Sequence, residues 1–210
     1  ELGRGERVVA VGFDDPRAPP RIKLYLQESR WGTGLGTGAA LAPALAKAAP
    51  GTTIPPWCMS RQLDVVTIGL LPDGSRQLKV YLGGPDPDSA AAGAPPCVHA
   101  LVRQMTTASP LEGGWYYLTV RCRVGQPWGY AINKIYNPVQ IGFTAPLPGP
   151  AEAWADVAAL FESAGNRSEL EGLRTVLRGS DLVALPTATA LEGDGDQTDI
   201  YVAAWSGRPP

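Results

Sequence analysis

Arg21-Ile22-Lys23-Leu24-Tyr25-Leu26, RIKLYL, interleaves two characters, with Arg, Lys and Tyr at the odd positions and aliphatics at the even ones. Successive side chains of a β-strand point to opposite faces, so the stretch reads as a strand with one apolar face and one cationic, phenolic face. Upstream, Arg7-Val8-Val9-Ala10-Val11-Gly12-Phe13 has the same strand character, and the Pro- and Asp-rich residues between the two stretches make a turn. Together they read as a β-hairpin.

The hairpin recurs. Asp64 to Leu70 leads through Pro72-Asp73-Gly74 into Gln77-Leu78-Lys79-Val80-Tyr81-Leu82. Tyr117 to Arg123 passes through Gly125-Gln126-Pro127 to Ile132-Asn133-Lys134-Ile135-Tyr136. Leu182 to Leu185, an acidic Gly-rich turn and Asp199-Ile200-Tyr201-Val202 form a fourth. Aligning the second strands superposes Tyr25, Tyr81, Tyr136 and Tyr201, and the first three have a lysine two residues earlier. Helix-compatible segments lie between the hairpins: Ala39 to Ala49, Cys97 to Met105 after a Pro-Pro pair, Ala151 to Ala164, and Ser168 to Leu177. Ser168 with Glu171 three residues on has the spacing of a capping box. A hairpin cannot bury its apolar face alone, so repeats of this kind predict a closed or stacked architecture. The expected organisation is one domain over 1–210, with repeats at about 6–50, 62–107, 115–165 and 168–207.

Bulk composition narrows the function. The chain has 210 residues, 44% hydrophobic and 18% charged, enough for a sizeable core. Lys plus Arg number 18 against 20 Asp plus Glu, a net charge of -2, so no global basic field points to nucleic acid. Any anion site must be a local cluster. No apolar run approaches a membrane span and no secretion signal is legible, so a soluble cytoplasmic protein is expected. Cys58, Cys97 and Cys122 have neither disulfide-framework nor zinc spacing, and His99, the one histidine, reads as a packing or surface residue. The glycines at 32, 34, 36 and 38 lack dinucleotide-loop spacing. Glu192, Asp194, Asp196 and Asp199 read as a solvated hairpin tip, and Asn166-Arg167-Ser168 as a helix start rather than a glycan acceptor.

Under an inward-facing reading, Lys23, Lys79 and Lys134, with Arg21 and with Arg121 on a neighbouring strand, would converge on one lumen beside Tyr25, Tyr81, Tyr136 and Tyr201. Clustered cations hold a multiply charged oxyanion such as a diphosphate, and aromatic faces favour a neighbouring carbocation. One reaction needs both: ionising an allylic diphosphate and shielding the cation until an aromatic ring attacks.

These strands resemble those of the aromatic prenyltransferases of the ABBA (PT barrel) type, especially the indole, or dimethylallyltryptophan synthase, branch. In that family hairpins and outer helices make a ten-stranded antiparallel barrel, an α+β fold, around a reaction chamber. Lys23 with Tyr25 and Lys79 with Tyr81 match its Lys-x-Tyr strands, and Arg21 completes an Arg-x-Lys-x-Tyr. Gln77 takes that Arg position in the second hairpin, with Arg76 beside it. Lys134 with Tyr136 is a third similar pair, and Tyr201 with Trp205 resembles the last-strand aromatic pair. The resemblance implies transfer of a prenyl group from a prenyl diphosphate to an electron-rich, indole-like ring. Lys23, Lys79, Lys134, Arg21 and Arg121 would bind the diphosphate; Tyr25, Tyr81, Tyr136 and Tyr201 would screen the cation, with Trp205 lining the chamber. It implies no required cofactor or metal; magnesium is not called for by the sequence. Four of the family's five repeats are visible, so the first is expected to be trimmed, absent, or supplied by a missing N-terminal segment or a partner chain. The rival expectations are a non-catalytic barrel binding a small anionic or aromatic ligand, and a subunit completed by a partner.

Overall fold

The computed structural model describes residues 6–12, 21–27, 34–136, 150–178, 180, 182–193 and 197–205. RIKLYL falls within β2 (Arg21–Gln27), paired antiparallel with β1 (Glu6–Gly12). A short β3 (Gly36–Thr37) precedes α1 (Gly38–Ala48), and β3 pairs with β4 (Gln62–Leu63) in a separate two-stranded sheet. β5 (Val65–Leu70) and β6 (Arg76–Gly84) form the second hairpin, followed by α2 (Pro87–Ala90) and α3 (Pro96–Ala108). β7 (Trp115–Arg123) and β8 (Gly129–Ile135) form the third, followed by α4 (Pro150–Ser163) and α5 (Arg167–Leu177). β9 (Val183–Glu192) and β10 (Gln197–Trp205) form the last.

The four hairpins join edge to edge into one antiparallel sheet, ordered β1-β2-β5-β6-β7-β8-β9-β10. The sheet is curled, and the phenols record it. Burial raises the pKa of Tyr201 on β10, and Asp199, Glu192 and Tyr25 on β2 raise it further. In a flat sheet the six strand-to-strand steps from β2 to β10 would put these tyrosines about 29 Å apart, too far for such coupling. The face they share is therefore concave. Among the described residues β1 and β10 each have a strand on one side only.

The convex face carries the core. Leu26, Val66, Leu78, Val80, Leu82, Leu118, Val120 and Ile132 project from the sheet onto Leu45 of α1 and Val98, Leu101, Val102 and Met105 of α3. The α3 residues follow the three-and-four spacing of a helix with one apolar stripe. A second cluster seats Val157 of α4 and Leu170 of α5 on Ala184 and Val202. A register shift leaves Thr187 of β9 as an extra residue opposite the step from Tyr201 to Val202, and Val202 packs against the cluster of α4 and α5.

The helix starts differ in one respect from the sequence expectation. Thr37 caps α1 by accepting a hydrogen bond from Ala40 N at 3.3 Å, but Ser168 does not cap α5. That helix begins at Arg167 after Asn166, and the Ser168 hydroxyl instead donates to Glu169 Oε2 at 2.6 Å. Glu171 pairs with Arg174 at 2.9 Å, so the capping box does not form. No helix among the described residues is long and apolar enough to cross a membrane.

Candidate functional site

Residues directly opposite in an antiparallel ladder share a face, so the register sorts the concave side chains into rows about 6.7 Å apart along the strands. The first holds Lys23, Gly69, Gln77 and Arg123. Next come Tyr25, Thr67, Lys79, Arg121 and Gly129. The third holds Val65, Tyr81, Thr119, Ala131 and Glu192. Then follow Gly83, Tyr117, Asn133, Ala190 and Asp199, and finally Trp115, Ile135, Ala188 and Tyr201. The face is graded from cations through phenols to aromatics and carboxylates.

At the cationic end Lys79 lies directly opposite Arg121. Like charges opposite each other cost stability, so the pair is a liability unless an anion is held between or beside them. Arg121 Nη1 meets one, Glu192 Oε2, at 3.1 Å. Thr67, next to Lys79 in its row, is 2% exposed, and its hydroxyl has no hydrogen-bond partner of good geometry, although the Tyr81 phenol lies close by. A buried, unsatisfied hydroxyl beside a lysine is a donor a ligand can use.

The middle is phenolic and uncharged at neutral pH. Burial pushes the Tyr81 phenol up to about 12, with Tyr25, Glu192 and Tyr201 adding to the effect and Thr67 opposing it. Burial also raises Tyr25 and Tyr117. These groups can offer ring faces and O–H donors, but they are poor bases. Tyr81 and Tyr117 meet edge to face at 6.2 Å between centroids, and Tyr117 and Trp115 at 6.5 Å.

At the far end the missing side chain of Gly83 makes room for three groups. A Cβ there would stand 2.1 Å from Asp64 Oδ2, 2.6 Å from Trp115 Nε1 and 2.9 Å from Tyr117 Cε1. The Asp64 carboxyl is raised by burial, partly offset by a bond from the Gly83 backbone and by the charge of Arg61. The buried Trp115 Nε1–H has no hydrogen-bond partner of good geometry among the described residues, although the Tyr117 phenol lies close by. Asn133 donates to Thr119 Oγ1 at 3.0 Å and holds the rows together.

Of the sequence-predicted residues, Lys23, Tyr25, Lys79, Tyr81, Arg121 and Tyr201 share this concave face. The side chains of Arg21 and Trp205, at the ends of β2 and β10, lie outside the described residues. Arg76 points to the helices and donates to Ala48 O at 2.6 Å.

Lys134 and Tyr136 require correction. Lys134 lies opposite Tyr116 and Thr189, on the helix-covered face, and is 3% exposed. Its ammonium donates to Leu111 O and sits over the rings of Tyr116 and Tyr136, 5.5 and 5.2 Å from their centroids. The Tyr136 hydroxyl is engaged by Ser109 at 2.6 Å and Thr189 at 2.9 Å. This third Lys-x-Tyr pair is a tie between loop and sheet. Glu192 is exposed at the hairpin tip, as expected, and also pairs with Arg121.

Sequence reading missed Thr67, Asp64, Trp115 and Tyr117 as neighbours of the site. Only the register brings them there. A cavity of about 140 Å³ between α1 and β6, lined in part by Leu45, Ile54, Met59 and Leu78, lies on the helix side and has an apolar lining. Among the described residues no group of three or more His, Cys, Asp and Glu gathers to hold a metal. Comparison with protein-family models, with curated proteins and with solved structures found no match.

Proposed function

We propose that the concave face is a reaction chamber in which an allylic prenyl diphosphate is ionised and its prenyl group passed to an electron-rich aromatic ring. The observation that carries this reading is the like-charged pair Lys79 and Arg121, directly opposed on a curled sheet beside a row of neutral phenols. Lys79, Arg121 and Lys23 neutralise the departing diphosphate, an electrostatic contribution of the kind that commonly dominates such catalysis. Tyr25, Tyr81 and Tyr201 turn ring faces to the allylic cation and keep water from it. The aromatic rows near Trp115 and Tyr117 suit a flat acceptor, and an indole fits the neighbouring carboxylate and rings. In this reading the curled sheet is a prenyltransferase barrel of the ABBA type, and no metal or cofactor is required. The three free thiols fit a reducing, cytoplasmic compartment.

A second reading has one supporting observation: the outer edges of β1 and β10, each unpaired among the described residues. Open edges invite a further strand, so the chamber would be completed by another segment or by a partner chain. A barrel that only binds an anionic aromatic ligand remains the non-catalytic alternative.

The test is incubation with dimethylallyl or geranyl diphosphate and a panel of indoles and tyrosine derivatives, with chelator present. Diphosphate release and prenylated product are followed by mass spectrometry. A prenylated product is expected; binding without turnover would replace the enzyme reading with the ligand-binding or partner-completed one.

A further inference from the structure

Arg121 reaches across a neighbouring strand to find its partner. It stands on β7, Glu192 on β9, and the strand between them presents Gly129 directly opposite Arg121. A Cβ at 129 would lie 3.3 Å from Arg121 Nε, so the absence of a side chain there gives the guanidinium its path. Ala131, the residue opposite Glu192, is also small. The bridge is thus built into β8, yet it is half open, with side-chain exposures of 28% for Arg121 and 45% for Glu192. Pairs this exposed are weak and exchangeable.

We infer that Glu192 is the proton-accepting residue of this site, and that Arg121 holds its carboxylate until a phosphate-type anion takes its place. The inference rests on the prenyl-transfer reading above. A diphosphate carries more charge than one carboxylate and can engage Lys79 and Arg121 together, so it displaces Glu192 from the arginine. The freed carboxylate stays in the row of Tyr81, where it is electrostatically coupled to both Tyr81 and Tyr201. The donor's C–O bond breaks with its electron pair leaving on diphosphate, and a ring carbon of the acceptor attacks the allylic cation to form the new C–C bond. The C–H bond at that ring carbon then breaks. Its electrons restore the aromatic ring and its proton passes to Glu192, which returns it to solvent. The phenols of the row are already protonated at neutral pH and cannot take this proton. Binding of the donor therefore arms the base.

The experiment pairs calorimetric titration of inorganic pyrophosphate with product analysis, on the unaltered chain, Glu192→Gln and Glu192→Asp. Glu192→Gln is expected to bind pyrophosphate about tenfold more tightly, because an internal competitor is gone. It is expected still to ionise dimethylallyl diphosphate, releasing diphosphate while water captures the allylic cation as prenyl alcohol and gives its proton to solvent, and prenylated product falls about 100-fold. Glu192→Asp, which keeps a carboxylate, should recover part of that product. Unchanged or weaker pyrophosphate binding by Glu192→Gln, or product retained at the original rate, overturns the inference alone. An unaltered chain that binds no pyrophosphate, or makes no prenylated product, overturns the prenyl-transfer reading and this inference with it.

Discussion

Lys79-Val80-Tyr81 and Lys134-Ile135-Tyr136 have the same spacing and opposite positions in the fold. The first pair projects from β6 onto the concave face, beside Arg121 and the phenols. The second turns under the helices, where Lys134 is held by a carbonyl and two rings. What separates them is parity within the sheet. A shift of one residue moves every side chain to the other face, and β8 places Lys134 in line with Tyr116 and the core residue Ile132 rather than with Lys79. A motif written as two residues and a gap says nothing about face until its neighbours are read too.

The sharpest way to break this comparison is to make one substitution at both lysines. Lys79→Ala should weaken pyrophosphate binding about 100-fold, the loss of a charge-assisted contact, with little change in the urea midpoint. Lys134→Ala should do the reverse, leaving binding intact while lowering stability by about 2 kcal/mol through a cavity and an unmet carbonyl at Leu111. Equal behaviour of the two variants would show that the faces are not distinct. The tyrosines sharpen it at smaller scale. Tyr136→Phe removes bonds to Ser109 and Thr189 and should cost about 1 kcal/mol in urea unfolding, whereas Tyr25→Phe should stay within about 0.5 kcal/mol.

The smallest effect is one of pH. Burial lowers the Lys134 pKa below its ordinary 10.5, with Glu112 opposing the shift. Between the lowered value and 10.5 the unfolded chain binds the proton more than the folded one does, so stability gains with rising pH across that window. Raised phenols such as Tyr81 act oppositely: they favour the folded state below the unfolded phenol value, and that contribution is lost as pH climbs through about 12. The difference between the unaltered chain and Lys134→Met cancels the phenols. The unaltered chain's advantage should widen as pH rises toward 10.5; a constant difference would mean Lys134 titrates alike in both states.

The four hairpins and their order were legible in the chain because alternation within RIKLYL and Gln77 to Leu82 is strict, with aliphatics flanking each lysine. The third hairpin carried a warning in the same terms. Lys134 is flanked by Asn133 on one side, and Ile132 is in phase with the lysine rather than opposed to it. The Asn is the residue that faces the concave side, beside Thr119. Other parts of the site had no local signal. Asp64, Trp115 and Tyr117 meet over Gly83 because strands far apart in sequence are set in one register. The bridge from Arg121 to Glu192 depends on a glycine in the strand between them.

The grading of the five rows also gives the concave face a direction. From the row of Lys79 to that of Gly83 is four residues along one strand, about 13 Å, with positive charge at the start and the Asp64 carboxylate at the end. A long ligand with an anionic head and a nitrogen-bearing tail is favoured in one orientation and opposed in the other. Two smaller ligands of those kinds sort themselves to opposite ends and present their neutral portions to each other over Tyr81. Orientation would thereby be set by a field spread along the strands rather than by the fit of a single pocket.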